Sequence, residues 1–166
     1  MAKSNGTLDE LFRDTLKDVY YAEKKILSSL PKMAKAAQSP ELKAAFEKHE
    51  DETEGQIERL EKVFEMIEVP ARGKKCDAIE GILDEGKLIM DEYKGSPALD
   101  AGLLAAAQTV EHYEISRYGT LKAWAKKLGL QQAVTLLDET LQQEKKTDAA
   151  LSDIAKDSIN AEAEAA

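Results

Sequence analysis

The sequence predicts an all-α protein. Four long helices form a bundle, and a long crossover between the second and the third carries a fifth, shorter helix. Three observations predict it. Ala, Leu, Glu and Lys dominate, while aromatics make up 5% and only four prolines and nine glycines occur in 166 residues, a balance that favours helix over sheet. Apolar residues recur at spacings of three and four along most of the chain, and no Val/Ile/Thr-rich alternating run of strand type occurs. Two Ser-Pro pairs, Ser39-Pro40 and Ser96-Pro97, each head a helical pattern, with Ser as N-cap and Pro at the first helical position. The length suits one domain with a substantial core, spanning 1–166 with 1–6 and 161–166 as frayed ends.

The first helix is expected from Thr7, where Thr7 and Glu10 form a capping box, to about Ala37. Leu8, Phe12, Leu16, Val19, Ile26, Leu30 and Met33 form its stripe, broken once by Glu23. Pro31 should kink this helix without ending it. After a very short turn the second helix runs antiparallel from Pro40 to about Ile67. Its seam passes through Leu42, Phe46, His49, Glu52 or Thr53, Gln56, Leu60 and Val63, turning polar in the middle.

Val69 to Lys75 is the clearest loop, and Asp77 to about Tyr93 is the short crossover helix. Its apolar stripe, with Ile79, Ile82, Leu83, Leu88, Ile89 and Met90, is the expected self-association surface. The crossover is long enough, at about 1.5 Å per helical residue, for the third long helix to start at the same end as the second and run parallel to it. That third helix is expected from Pro97 to Leu128, with Gly129 as its C-terminal stop. The fourth runs from about Gln131 to Asn160, with Glu144 and Asp148 interrupting its apolar face.

A formal charge of −9, from 32 acidic and 23 basic residues, argues against nucleic-acid or anionic-membrane partners, which demand clustered Lys and Arg. Cys76 is the only cysteine, so no intramolecular disulfide forms and a reducing compartment is permitted. No stretch approaches about 18 consecutive apolar residues. A soluble, cytoplasmic protein is expected.

The chemistry lies in the acids that break the seams. On the third long helix, Leu103, Ala107, Glu111, Glu114, Tyr118, Leu121, Ala125 and Leu128 share one face, which places two carboxylates inward. Glu23, Glu52, Glu111 with Glu114, and Glu144 all lie within about two residues of their helix midpoints, roughly 3 Å of axial rise. A single such Glu in a charged helical protein ordinarily keeps its head in water. Four independent seams with acids at one level form a layer that is repulsive without cations, and two divalent ions would neutralise four charges. A dinuclear carboxylate centre is therefore expected in the bundle core, with Glu23, His49, Glu52, Glu111, Glu114, Glu144 and Asp148 as candidate ligands.

His49 lies three residues before Glu52 on nearly the same face and offers a nitrogen ligand. His112 is rotated by about 100° from Glu111, toward an outer position, and Asp148 follows Glu144 by one turn. Thr53 and Gln56 are expected as hydrogen-bonding supports of the ligands. Cys76 has neither a second Cys nor a nearby His, which leaves thiolate chemistry without support.

Tyr21-Ala22-Glu23, His49 with Glu52-Thr53, the run VEHYEISRYGTL at 110–121 and the late Glu144 resemble the bacterial YciE/YciF-type stress proteins, of the ferritin-like superfamily. The resemblance covers about Thr7 to Ile159. It implies a rubrerythrin-like, ferritin-like four-helix bundle with a fifth helix, a homodimer and a stress-associated role. In the superfamily pattern two helices give one Glu each and the other two give Glu-x-x-His. Here Glu23 fits the lone Glu and Glu111 with Glu114 resembles a Glu-x-x-Glu variant, but the second helix offers His49-x-x-Glu52 and the fourth offers Glu144 and Asp148. Iron or manganese serving peroxide or iron detoxification is one functional expectation. The other is a non-enzymatic helical dimer that binds a protein partner and keeps a metal-free acid layer.

Overall fold

The computed structural model describes residues 6–165. The expected frayed ends thus lie partly outside the described residues, at 1–5 and 166. Helices are α1 (Leu8–Ala36), α2 (Pro40–Met66), α3 (Asp77–Glu92), α4 (Leu99–Lys127) and α5 (Gln131–Ile154); α5 continues through a π-helical turn (Ala155–Ile159) into α6 (Asn160–Glu164). Among the described residues no strand occurs, and no helix is long and apolar enough to cross a membrane.

Local chemistry sets most of these boundaries. Thr7 and Glu10 form the expected capping box, and Ser39 caps α2 by accepting from the Leu42 amide with Pro40 at the first helical position. At the end of α4 the Gly129 amide donates to the Lys126 carbonyl and the Leu130 amide to the Ala125 carbonyl. This is a Schellman closure that needs the positive φ of 75° taken by Gly129. α2 closes with the same bonding pattern, but Glu68 holds the left-handed position at φ 55°. α1 passes through Pro31 as one helix.

The second Ser-Pro pair behaves differently from the first. Ser96 accepts from the Ala98 amide and its carbonyl accepts from Leu99, so 96–98 form a turn and α4 begins at Leu99 instead of Pro97. At this same end of the bundle, the helical path of the last helix runs past Asn160 to Glu164. The wider π turn lets Ile154, Ala155 and Ile159 all stay buried.

α1 packs on α2, α2 on α5, α5 on α4 and α4 on α1, while α3 lies outside against α4 and α1. Contacts such as Gln38 with Asp100 and Tyr118 with Glu23 show α1 antiparallel to α4. Arg59 with Thr140 and Glu52 with Thr147 show the same for α2 and α5. The diagonal pair α2 and α4 is therefore parallel, as the long crossover predicted. In α3, Ile79 is fully buried and Ile82, Leu83 and Met90 pack on the core, held close because a Cβ at Gly102 would stand 2.6 Å from Ile89. Much of the stripe expected to serve self-association is thus spent inside the chain, and Leu88 is its exposed member.

The core is in two parts. One apolar cluster, with Leu30, Met33, Leu42, Phe46, Leu103 and Leu151, fills the end bearing the α1–α2 turn. The other, with Phe12, Leu16, Leu60, Phe64, Leu121 and Leu137, fills the opposite end. A polar layer lies between them.

Asp100 clamps the first end. It is buried, and its two oxygens accept from the backbone amides of Gln38 at 2.8 Å and Ser39 at 2.6 Å, which fixes the α1–α2 turn against α4. Asp100→Ala would leave two amides without their acceptor and is expected to cost about 2 kcal/mol in denaturant unfolding. A loss below about 0.5 kcal/mol would show that water replaces the carboxylate.

Candidate metal centre

Each of the four core helices sends a side chain into the polar layer because its apolar stripe continues on both sides of the interruption. Glu23 follows Val19 and precedes Ile26 on α1; Glu111 and Glu114 lie between Ala107 and Tyr118 on α4; Glu144 follows Leu141 on α5. All four carboxylates are at most 1% exposed, and His49 of α2 is 4% exposed.

One donor atom from each of His49, Glu111, Glu114 and Glu144 lies within 4.8 Å of the others. Metal bonds of about 2.0–2.2 Å place two opposed ligands of one ion about 4.4 Å apart, so the group is close to ion-sized. His49 Nε2 is 3.1 Å from Glu111 Oε1 and 3.9 Å from Glu114 Oε2. Neither contact has hydrogen-bond geometry. Buried atoms without a hydrogen-bond partner converge here: both imidazole nitrogens of His49, both oxygens of Glu114, and one oxygen each of Glu23, Glu111, Glu144 and Gln56. Orphaned acceptors at this density fit a cation, since oxygen and imidazole donors together suit first-row divalent metals.

Electrostatics agree. Burial, then the charge of Glu144, pushes Glu23 up to about 8, and burial with the neighbouring carboxylates pushes Glu111 up to about 12. Glu114 is raised well above its ordinary value for the same reasons, while burial lowers His49 and keeps its imidazole neutral. Carboxyls that must take up protons when alone, beside a neutral imidazole, are groups that a divalent ion would ionise and satisfy.

Of the seven residues expected from the sequence, Glu23, His49, Glu111, Glu114 and Glu144 meet in the layer. Glu52 and Asp148 do not. Glu52, at 23% side-chain exposure, pairs with Lys48 at 3.5 Å and accepts from Thr147 at 3.4 Å. Asp148, at 22%, lies 3.2 Å from the exposed His112 and accepts from Gln108 at 3.1 Å. One residue of helical rotation separates the seam from the flank, and Thr53, fully buried, is the inward choice of α2.

The support contacts also emerge. Thr53 donates to the His49 carbonyl at 2.7 Å, Tyr118 donates to Glu23, and Gln56 donates to Glu144. Arg59 of α2 donates to Thr140 at 3.0 Å and to Gln143. Arg59 was not visible as part of this layer in the sequence, where it is one of many charged residues on a charged helix. Outside the layer, Cys76 Sγ lies 3.3 Å from the Tyr113 hydroxyl.

The family described as "Domain of unknown function (DUF892)" matches residues 7–164. Protein YciF of Escherichia coli (strain K12) is 42% identical over 159 residues, covering 95% of this chain and 96% of that protein. The crystal structure of that E. coli stress protein superposes with a TM-score of 0.89, covering 93% of this chain and 98% of that one. YcfI of Rhodopseudomonas palustris gives 0.88 at 39% identity, over 92% of this chain and 97% of that one. A Xanthomonas campestris protein gives 0.69 at 23% identity, over 90% and 92%, a likeness of fold.

Without metal, the layer makes stability depend on pH with a definite sign. Glu23, Glu111 and Glu114 hold protons in the fold that carboxyls near an ordinary 4.5 release in the unfolded chain. Below 6.5, the ordinary value of His49, the lowered imidazole works in the opposite sense. Between about 6.5 and 8 only the acids act, the native state binds more protons, and stability falls as pH rises. Denaturant unfolding in chelator should show a decline on the order of 1 kcal/mol per pH unit per retained proton; a flat or rising profile contradicts the assignment.

Proposed function

The chain belongs to the DUF892 family, and on that premise we propose that it is a stress-associated, cytoplasmic protein whose bundle core holds iron or manganese. The observation that carries the proposal is the convergence of buried ligand atoms from three helices, α2, α4 and α5, on one small volume, with a partnerless Glu23 oxygen from α1 in the same layer. The stress association rests on the likeness to YciF, described as a stress protein.

His49, Glu111, Glu114 and Glu144 would hold the ion, with Glu23 beside Glu114 and Glu144 as a further carboxylate. Such a metal supplies one-electron redox chemistry stabilised by hard oxygen donors, which suits reduction of peroxide or oxidation of ferrous iron. The chain's own residues prepare the place. Thr53 ties the His49 backbone, and Tyr118 and Gln56 orient one oxygen each of Glu23 and Glu144. The two apolar clusters keep bulk water from the layer on either side, which strengthens every charge interaction within it. A homodimer is part of the proposal, with Leu88 of α3 and nearby Tyr93 as exposed apolar side chains available to it.

A metal-free stress protein acting through protein contacts is the second reading, favoured by the hydrogen bonds that already occupy one oxygen each of Glu23 and Glu144. Anaerobic loading with ferrous ion, followed by desalting and elemental analysis, separates the two. The proposal expects stoichiometric metal, consumption of added peroxide and a melting temperature lowered by chelator. Glu111→Gln and Glu144→Gln should each cut metal retention at least tenfold while leaving the helical circular dichroism intact. Metal at trace level, no turnover and a chelator-insensitive melt would favour the metal-free protein.

A further inference from the structure

Resting on that metal assignment, we infer that the layer takes one ion per chain, because Gln56 of α2 stands where a second would be held. A two-ion centre in a bundle of this kind draws Glu-x-x-His from each of two helices in addition to a Glu from each of the others. On α2 the fully buried inward positions in this register are Thr53 and Gln56, three residues apart. On α5, Glu144 is followed three residues later by Thr147, whose hydroxyl donates to Glu52 at 3.4 Å. Neither helix completes the pair of ligands.

What these helices supply instead are donors. The Thr53 hydroxyl is spent on the His49 carbonyl. The Gln56 amide donates to Glu144 Oε1 and, at 3.4 Å, to Gln143 Oε1, which also accepts from Arg59. Tyr118 donates to Glu23 Oε1. N–H and O–H groups aimed at carboxylate oxygens do the work of a cation and exclude one from those oxygens. The layer is therefore asymmetric. Around His49, Glu111, Glu114 and the second oxygen of Glu144 no donor intrudes among the described residues. Toward Gln56 and Arg59 the Oε1 atoms of Glu144 and Gln143 are already held, and the acceptor left over is the neutral amide oxygen of Gln56. His49 lies two turns before Gln56 on α2, and it provides the nitrogen ligand on the open side alone.

Anaerobic Mn2+ titration of the full chain, with ions counted by elemental analysis and the spin state read by electron paramagnetic resonance, tests this. The wild-type protein should saturate at one ion with the hyperfine pattern of isolated Mn2+. Gln56→Glu, which exchanges the amide donor for a ligand, should raise the count to two and give an exchange-coupled spectrum. Two coupled ions in the wild-type protein would overturn the inference, as would a soluble Gln56→Glu protein that stays at one. No bound ion in the wild-type protein would instead overturn the metal assignment on which it rests. The wild-type count and spectrum decide the matter even where the variant fails to fold.

Discussion

Four carboxylates have been taken out of water and set against one another in a single layer of the bundle. Left ionised and unpaired they would cost several kcal/mol apiece, and the chain tolerates them only because something else compensates. Two apolar clusters, one on each side of the layer, supply the burial that holds the four helices together and fix the layer in place. Asp100 shows how this chain treats a buried acid whose role is purely architectural, with both oxygens matched to backbone amides. The acids of the central layer lack that treatment. Among the described residues Glu114 has no hydrogen-bond partner on either oxygen, and Glu111 and Glu144 each leave one oxygen bare. Either protons or a cation must fill that deficit, and the two alternatives have opposite dependence on pH.

The level of the layer follows from how the helices are joined. Minimal turns at 37–39 and 128–130 make two antiparallel hairpins whose members have nearly equal lengths, so their midpoints coincide. The crossover through α3 returns the chain to the starting end and makes α2 parallel to α4 on the diagonal. That places His49 across the bundle from Glu111 and Glu114. Within α2 the two turns from His49 to Gln56 then separate a ligand from a donor, and the asymmetry of the layer is written along one helix.

Much of this was legible from residue order because it depends on period and punctuation. Glu23, Glu111, Glu114 and Glu144 each replace an apolar residue in an otherwise regular stripe, and the chain has few glycines and prolines to blur the helix ends. The failures have equally local causes. Glu52 and Thr53 differ by about 100° of rotation, and a polar stretch of seam offers no apolar neighbours to choose between them; packing chose Thr53. Asp148 fell off the face because His112 and Gln108 hold it at the rim. Ser96-Pro97 has the composition of a helix start, yet Ser96 bonds within a turn and delays α4 to Leu99. The role of Gln56 was anticipated only as support, since which oxygen an amide faces is decided by the partner across the bundle and not by its own spacing. The π turn after Ile154 likewise reflects tertiary demand on Ala155 and Ile159 that a 3.6-residue period cannot express.

The most direct test of the metal assignment is anomalous diffraction, with data collected across the iron and manganese absorption edges on crystals of protein purified without added metal. An anomalous peak is expected enclosed by His49 Nε2 and the carboxylates of Glu111, Glu114 and Glu144, with those side chains turned toward it. A crystal soaked with either ion that shows no peak there, and carboxyls closed on one another by shared protons, would contradict the assignment.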